Sequence, residues 1–277
     1  MRFLEGEPLE YMGFIWIVKG YQHPPGKVFA FPRYNIISRS KSIIMRHRDS
    51  LYYWDCLKLE APAINAEKAI LYKPNLSHPI SSIIKSVESL LDLDEEEYVV
   101  TGSILIGANR DIDIVVYGVS DFLIDKIRDL VNKGVFEKAD LYTLYKEYLA
   151  KHKGRVDLDT YLSVKKDTLL HLRYRGYHLN LRLVRFKQGV QKCVDPVFKR
   201  VFFIDEITIV KPLDYRVIPS RYLVEVRGRE LYLETYRELY AELKPGKYYV
   251  EGFLEYRRGG GYIVPDHGLL KLINIKD

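Results

Sequence analysis

The stretch Tyr98-Val99-Val100-Thr101-Gly102-Ser103-Ile104-Leu105-Ile106-Gly107-Ala108-Asn109-Arg110-Asp111-Ile112-Asp113-Ile114-Val115-Val116-Tyr117 decides the reading of this chain. A short β-branched run enters a Gly-Ser turn, and after the loop Ile104 to Arg110 two carboxylates alternate with isoleucines. Residues two apart on a strand project to one face, so Asp111 and Asp113 stand side by side while Ile112 and Ile114 face a core. Hard divalent cations such as Mg²⁺ or Mn²⁺ take oxygen ligands, and a carboxylate pair plus substrate phosphates is a common way of holding them. Upstream, Gly102 lets backbone approach a phosphate, Ser103 offers a hydroxyl donor, and the amides of such a turn favour anions. Gly107 permits a second close approach, and Arg110 is placed to contact phosphate or brace the loop.

Working outward, Ile80, Ile83, Ile84, Val87, Leu90 and Leu91 recur at the spacing of one helical face, with Ser77 or Ser81 as cap. The acidic run Asp94 to Glu97 ends that helix before the strand Tyr98 to Thr101. Beyond Tyr117, Asp121 starts a helix carrying Leu123, Ile127, Leu130 and Val131, and a further helix covers 140–150. Tyr177 to Leu183 alternates polar and apolar residues, the pattern of a half-buried strand. This order predicts an α+β domain whose mixed sheet is covered mainly on one side by helices. N-terminal to it, Gly13 to Lys19 and Lys27 to Phe31 flank His23-Pro24-Pro25-Gly26 and predict a β-hairpin. His23 itself reads as structural or solvated. Residues 35–75 show no long periodicity. After Pro212, short aliphatic and aromatic runs separated by Pro245-Gly246 and Gly259-Gly260-Gly261 predict a small β-rich domain, with a helix-like stretch over 231–243. The expected domains are therefore 1–75, 76–210 and 211–277.

The Gly-Ser after a strand, followed by a carboxylate pair alternating with apolar residues, resembles the signature of the DNA polymerase β-like nucleotidyltransferase superfamily. The run Tyr98 to Gly118, together with Lys19-Gly20-Tyr21-Gln22-His23-Pro24-Pro25-Gly26-Lys27-Val28-Phe29-Ala30-Phe31-Pro32-Arg33-Tyr34, is similar to an archaeal family of predicted nucleotidyltransferases. This resemblance implies a nucleotidyltransferase-like core in which Gly102 and Ser103 touch a nucleoside triphosphate and Asp111 and Asp113 bind Mg²⁺ or Mn²⁺. Two departures from the superfamily pattern stand out. The Ser103-to-Asp111 loop is short and lacks the frequent basic residue soon after the serine. The superfamily commonly adds a third carboxylate from a neighbouring strand, whereas the best such strand here offers His178, Asn180 and Arg182. Asp157, Asp159 or Asp195 can supply that acid, two carboxylates can suffice, or the domain can bind without catalysis. Asn180 can coordinate through its amide oxygen, and Arg182 can meet a triphosphate or pair with Asp113.

With 277 residues and 47% hydrophobic composition, the chain has enough apolar mass for about two domains. No long apolar run or signal-peptide pattern follows Met1, which predicts a soluble, cytoplasmic protein with no membrane partner. Cys56 and Cys193 are far apart and form no metal-ligand motif, so no disulfide framework is expected. Scarcity of Gln, Cys and Met beside abundant Tyr, Lys, Arg and Glu leans toward heat adaptation.

Residues 1–140 carry 17 basic against 20 acidic side chains, 141–203 carry 14 against 5, and 204–277 carry 12 against 12. The excess of the +6 chain thus lies in the middle, and a concentrated positive segment attracts polyanions. A solvated face balanced by acidic surface elsewhere is the ordinary alternative. Within it, Lys165, Lys166, His171, Arg173, Tyr174, Arg175, Tyr177, His178, Arg182, Arg185 and Phe186 interleave cations with rings, a mixture that holds phosphates and stacks bases. Tyr174 and Arg175 are the expected exposed contacts, in a turn between strands. In the C-terminal domain Tyr248, Tyr249, Phe253, Tyr256 and Tyr262 fit a small barrel like the oligonucleotide-binding fold, with Arg257 and Arg258 as phosphate contacts at a hairpin tip. The function expected is Mg²⁺-dependent transfer of a nucleotidyl group from an NTP to a hydroxyl acceptor such as RNA. The alternative is a non-catalytic nucleic-acid- or nucleotide-binding protein on the same fold.

Overall fold

The computed structural model describes residues 2–42, 44–108, 111–153 and 156–275. Among them the chain is α+β, with three sheets and four α-helices, and no helix is long and apolar enough to cross a membrane. It divides into two compact units, Met1–Ile127 with Tyr174–Asp195, and Arg128–Arg173 with Pro196–Asp277.

The first unit begins with β1 (Pro8–Tyr11), β2 (Phe14–Val18), β3 (Lys27–Asn35), β4 (Ser40–Lys41), β5 (Leu51–Trp54), β6 (Leu59–Asn65) and β7 (Ile70–Leu71). They form one sheet in the order β5-β6-β3-β2-β1-β7, with β4 paired to β3. The expected hairpin is present: β2 and β3 pair antiparallel, with Ile17 opposite Phe31. Residues 35–75, without periodicity of their own, supply four more strands, because short strands take their register from neighbours. Leu9, Trp16, Val18, Val28, Ala30 and Ile64 make one buried cluster of this sheet.

Next come α1 (His78–Leu91), β8 (Tyr98–Thr101), β9 (Asp111–Tyr117) and α2 (Asp121–Asn132). Helix α1 buries Ile80, Ile83, Ile84, Val87 and Leu91 of the predicted stripe, while Leu90 is half-buried. Ser77 occupies its N-cap position but makes no side-chain cap bond, and Ser81 bonds instead to the His78 carbonyl. In the second unit β10 (Glu137–Lys138) precedes α3 (Leu141–Glu147), capped by Asp140, whose carboxylate accepts the Thr143 amide at 2.8 Å. Then follow α4 (Leu158–Lys165) and β11 (His171–Tyr174), which pairs with β10.

The strand β12 (Tyr177–Val184) returns the chain to the first unit and lies parallel to β9, while β8 flanks β9 antiparallel on its other side. Leu179, Leu181 and Leu183 are buried, as the alternation required. Beyond β12, the chain runs back to the N-terminal sheet: the Val190 amide and carbonyl bond to the Tyr21 carbonyl and His23 amide, and Gln22 Oε1 accepts from Val194 and Asp195. That return brings Cys193 within 5.8 Å (Cα to Cα) of Cys56, and the two form a disulfide, contrary to expectation. A separation of 137 residues hid a pairing that only the fold creates.

The second unit closes with β13 (Lys199–Asp214), β14 (Ser220–Val226), β15 (Arg229–Thr235), β16 (Gly246–Arg257) and β17 (Gly260–Ile275), a closed barrel in the order β13-β14-β15-β17-β16. All neighbours run antiparallel except β15 and β17, which are parallel at Tyr232–Tyr262 and Leu233–Ile263. Ile207, Ile209, Tyr222, Val224, Leu233, Tyr248, Val250, Ile263 and Leu270 fill it, with Val164 from α4. Two expectations change here. The helix-like stretch 231–243 is strand β15 followed by a single 3₁₀ turn, Glu238–Tyr240, because Leu233 and Thr235 alternate inward at strand period. The boundary at 210/211 falls inside β13, a continuous strand.

Candidate active site

At the end of β8 the chain turns at Gly102 into a 3₁₀ helix, Gly102–Ile106, before entering β9. Thr101 pairs with Asp113 across the two strands, so the turn falls beside that aspartate. Gly102 has φ +79°, and a Cβ placed there would lie 1.7 Å from Asp113 Oδ2. The glycine thus serves two needs at once: a left-handed backbone and room for a carboxylate against the turn. Asp111 and Asp113 share one face of β9 and are half-buried. Ser103 is half-buried at the start of the turn, and the Gly107 amide is used locally, bonding to the Ile104 carbonyl. Arg110 lies outside the described residues.

On the other flank, β12 sets His178 opposite Asp111 and Asn180 opposite Asp113. Asn180 Nδ2 donates to Asp113 Oδ1 at 2.6 Å, which orients the carboxylate rather than competing with it for a ligand. Arg182, one step further along the same face, donates to Glu5 Oε1 at 2.8 Å. Glu5 is buried and also accepts from Lys19 Nζ at 2.7 Å and the Gly20 amide at 2.8 Å. Burial works to raise the Glu5 pKa, but Lys19 and Arg182 outweigh it and hold the carboxyl below its ordinary value. Tyr34, buried on β3, has its hydroxyl pushed up by burial, with Arg33 lowering and Asp113 raising it as further influences. Glu5, Lys19, Arg33 and Tyr34 went unread as site residues. Their only signal was that the last three lie in the stretch Lys19 to Tyr34 that carries the family likeness.

Among the described residues no group of three or more His, Cys, Asp or Glu side chains stands together as a metal cage. The donor set at Asp111 and Asp113 still suits a hard cation, since two carboxylates on one strand face, one of them oriented by an amide, leave oxygen lone pairs for Mg²⁺ or Mn²⁺. Of the other acids, Asp157 caps α4 by accepting from the Thr160 amide and hydroxyl, and Asp159 belongs to the first turn of the same helix. Asp195 lies on the return segment held by Gln22.

Several expected nucleic-acid contacts are corrected. Tyr174 is buried and its hydroxyl shares a hydrogen bond with Ser86 at 2.7 Å, because the alternation of β11 turns it inward. Arg175 is exposed at the turn, at φ +50°, and its guanidinium lies 5.2 Å from the Tyr174 ring centroid. Arg173 is half-buried. Lys165 is buried, and burial lowers its pKa against the pull of Glu238, Glu147 and Glu242. Arg257 is held by Glu234 and Glu255, at 2.6 Å each, and is no free hairpin contact. Arg258, next to it, is exposed. Tyr248 belongs to the barrel core, Tyr249 bonds to Glu251, Tyr262 stacks on Tyr232 at 5.1 Å, and Tyr256 is exposed. A cleft in the first unit, lined by Arg2, Glu7, Tyr72, Tyr98, Tyr117 and Lys187, does not include Asp111 or Asp113.

Compared with protein-family models, with curated proteins and with solved structures, the chain finds no match in any of the three.

Proposed function

We propose that this chain is a nucleotidyltransferase, built on a nucleotidyltransferase-like core, that moves a nucleotidyl group from an NTP to a hydroxyl acceptor such as RNA. The observation that carries the reading is Gly102 closed against Asp113, with Asp111 on the same strand face. A Gly-Ser turn that abuts a carboxylate pair puts a phosphate-accepting backbone within reach of a cation site, as phosphoryl chemistry requires. A divalent ion bound there supplies charge neutralisation for the attacking and leaving oxygens. Asp111 and Asp113 hold that charge in place, Asn180 orients Asp113, and Gly102 and Ser103 bind phosphate oxygens. The acceptor oxygen bonds to the α-phosphorus as its bond to the β-phosphate oxygen breaks; pyrophosphate leaves and the hydroxyl proton passes to solvent. The barrel supports a role in acceptor binding, since a five-stranded closure with one parallel pair resembles the oligonucleotide-binding fold.

The test is label transfer from an α-phosphate-labelled NTP with Mg²⁺ or Mn²⁺. Asp111→Ala and Asp113→Ala should each cut transfer by roughly a thousandfold or more, matching the several kcal/mol a catalytic cation supplies. Unchanged transfer in either variant sinks the assignment. A second reading, a protein that binds nucleotide or nucleic acid without transfer, is favoured by one observation: β12 offers the aspartate pair Asn180 and a Glu5-bound Arg182, not a third acid. Salt-sensitive RNA binding with no transfer from any NTP selects it.

A further inference from the structure

We propose that Lys19 and Arg33, carried by the N-terminal sheet, join Arg182 to form the subsite that holds the polyphosphate tail of the nucleotide. The inference rests on the nucleotidyltransferase reading and names residues outside the Gly-Ser turn for it. The turn itself brings little positive charge: from Gly102 to Ala108 there is no Lys or Arg. A triphosphate tail needs cations, and ammonium and guanidinium groups are the usual ones.

The N-terminal sheet is packed where such cations are needed. Ile15 and Tyr34 share a buried cluster with Leu105 of the 3₁₀ helix, and the Tyr72 hydroxyl donates to the Leu105 carbonyl at 3.2 Å. At Gly6 a Cβ would stand 2.7 Å from Val115, which lies on the same strand face as Asp111 and Asp113. The segment around Glu5 therefore lies against the face that carries the aspartates.

Three cations gather there. Lys19 and Arg182 both bond to Glu5, and Arg33 lies within electrostatic reach of Lys19 and of the Tyr34 hydroxyl, which also feels Asp113. The Arg33 guanidinium stands 5.7 Å from the Tyr34 ring centroid. One buried carboxylate cannot neutralise Lys19, Arg33 and Arg182 together. The aspartate pair balances the remainder only until a divalent cation takes those carboxylates, and a polyanion then completes the charge. Glu5 acts as the internal brace: it fixes Lys19 and Arg182 from the buried side, while Lys19 stays 39% exposed and Arg33 is exposed. Clustered cations braced in this way pay little ordering entropy on binding a phosphate chain.

The experiment measures binding of inorganic tripolyphosphate and of Mg·ATP to the full chain by calorimetry. Arg33→Ala and Lys19→Gln should each weaken both ligands about tenfold, the loss of one charge-assisted contact. Lys85→Ala, an exposed change on α1, should bind as the wild type does. Because Lys19 touches a buried acid, Arg33→Ala is the variant that keeps the fold intact, and denaturation midpoints check both. If Arg33→Ala and Lys19→Gln bind tripolyphosphate as tightly as the wild type, the subsite is overturned while nucleotidyl transfer, measured separately, can still stand. If the wild type binds neither ligand, the subsite and the reading beneath it both fall. If binding weakens as stated but no transfer occurs, the subsite stands and the catalytic reading falls.

Discussion

Arg182 in the first unit and Arg257 in the second were read alike from the sequence, as arginines offered to phosphate, and their surroundings make them opposites. Around Arg182, two cations, Lys19 and Arg182, bond to the single buried carboxylate of Glu5, and Arg33 lies within electrostatic reach of Lys19. Around Arg257, three arginines share two buried glutamates: Arg200 and Arg257 on Glu255, Arg257 and Arg221 on Glu234. The aromatic rings of Phe253 and Tyr262 lie beneath Arg200 and Arg257, at 5.3 and 4.7 Å from their guanidinium carbons. The lesson is that an arginine's availability depends on the carboxylates that reach it, not on the hairpin or strand that carries it. The barrel ladder is structural, its guanidiniums held between buried glutamates and aromatic rings; under the proposed subsite, the cations beside the aspartates are short of anions only once a divalent ion takes those carboxylates.

The sharpest way to break this comparison is to remove one carboxylate from each group. Glu255→Ala removes the buried carboxylate shared by Arg200 and Arg257 and should cost about 3–5 kcal/mol in denaturant unfolding. Glu5→Ala begins from a similar loss, but added tripolyphosphate should restore part of its stability and none of that lost in Glu255→Ala. Equal behaviour of the two variants would erase the distinction.

A somewhat smaller effect separates the units by pH. His23 is fully buried; its Nε2–H donates to the Phe3 carbonyl at 2.6 Å and its Nδ1 accepts from the Phe29 amide at 3.3 Å, an arrangement that needs the neutral ring. Burial pushes its pKa down to about 4, with the Phe3 carbonyl and Glu5 opposing. The unfolded chain takes up this proton near its ordinary pKa of about 6.5. Stability from the neutral histidine is therefore complete above that value and is lost as pH falls toward 4, amounting to about 3 kcal/mol. Trp16 and Trp54, the only tryptophans, both lie in the first unit, so their fluorescence follows its acid unfolding. A first-unit midpoint that does not move between these pH values contradicts the assignment.

The smallest effect concerns Arg258. As an exposed residue it should leave stability unchanged on mutation to Ala, and if the barrel holds RNA it should reduce the salt slope of binding by about one. Arg257→Ala should instead act on stability. An unaltered slope in Arg258→Ala removes that residue from the interface.

What the sequence made legible follows from how far each signal reaches along the chain. The inward faces of α1 and β12 and the paired faces of Asp111 and Asp113 are periodic patterns, and a period names a face without knowing the neighbour. What lies against that face is another matter. Glu5 meets Arg182 across 177 residues, and Cys56 meets Cys193 across 137. No local pattern records either. Tyr174 failed for a related reason: the turn was read over Arg173 to Gly176, whereas Arg173 and Tyr174 belong to β11 and the Tyr174 ring follows that strand's inward direction. Residues 231–243 were read as helix-like, yet Leu231 and Leu233 stand two apart, the spacing of a strand face, and the pairing of β15 with β14 fixes the strand.

The cystine between Cys56 and Cys193 has one more effect. Such a bond is at home in an oxidising compartment or in the interior of heat-adapted cells. It also makes a covalent ring of everything between the two residues, the Gly-Ser turn, both aspartates and Arg182 included. A protease that cuts the ring once leaves two pieces still fastened to each other. Such a nicked chain runs as one band on a gel without thiol and as two bands with it.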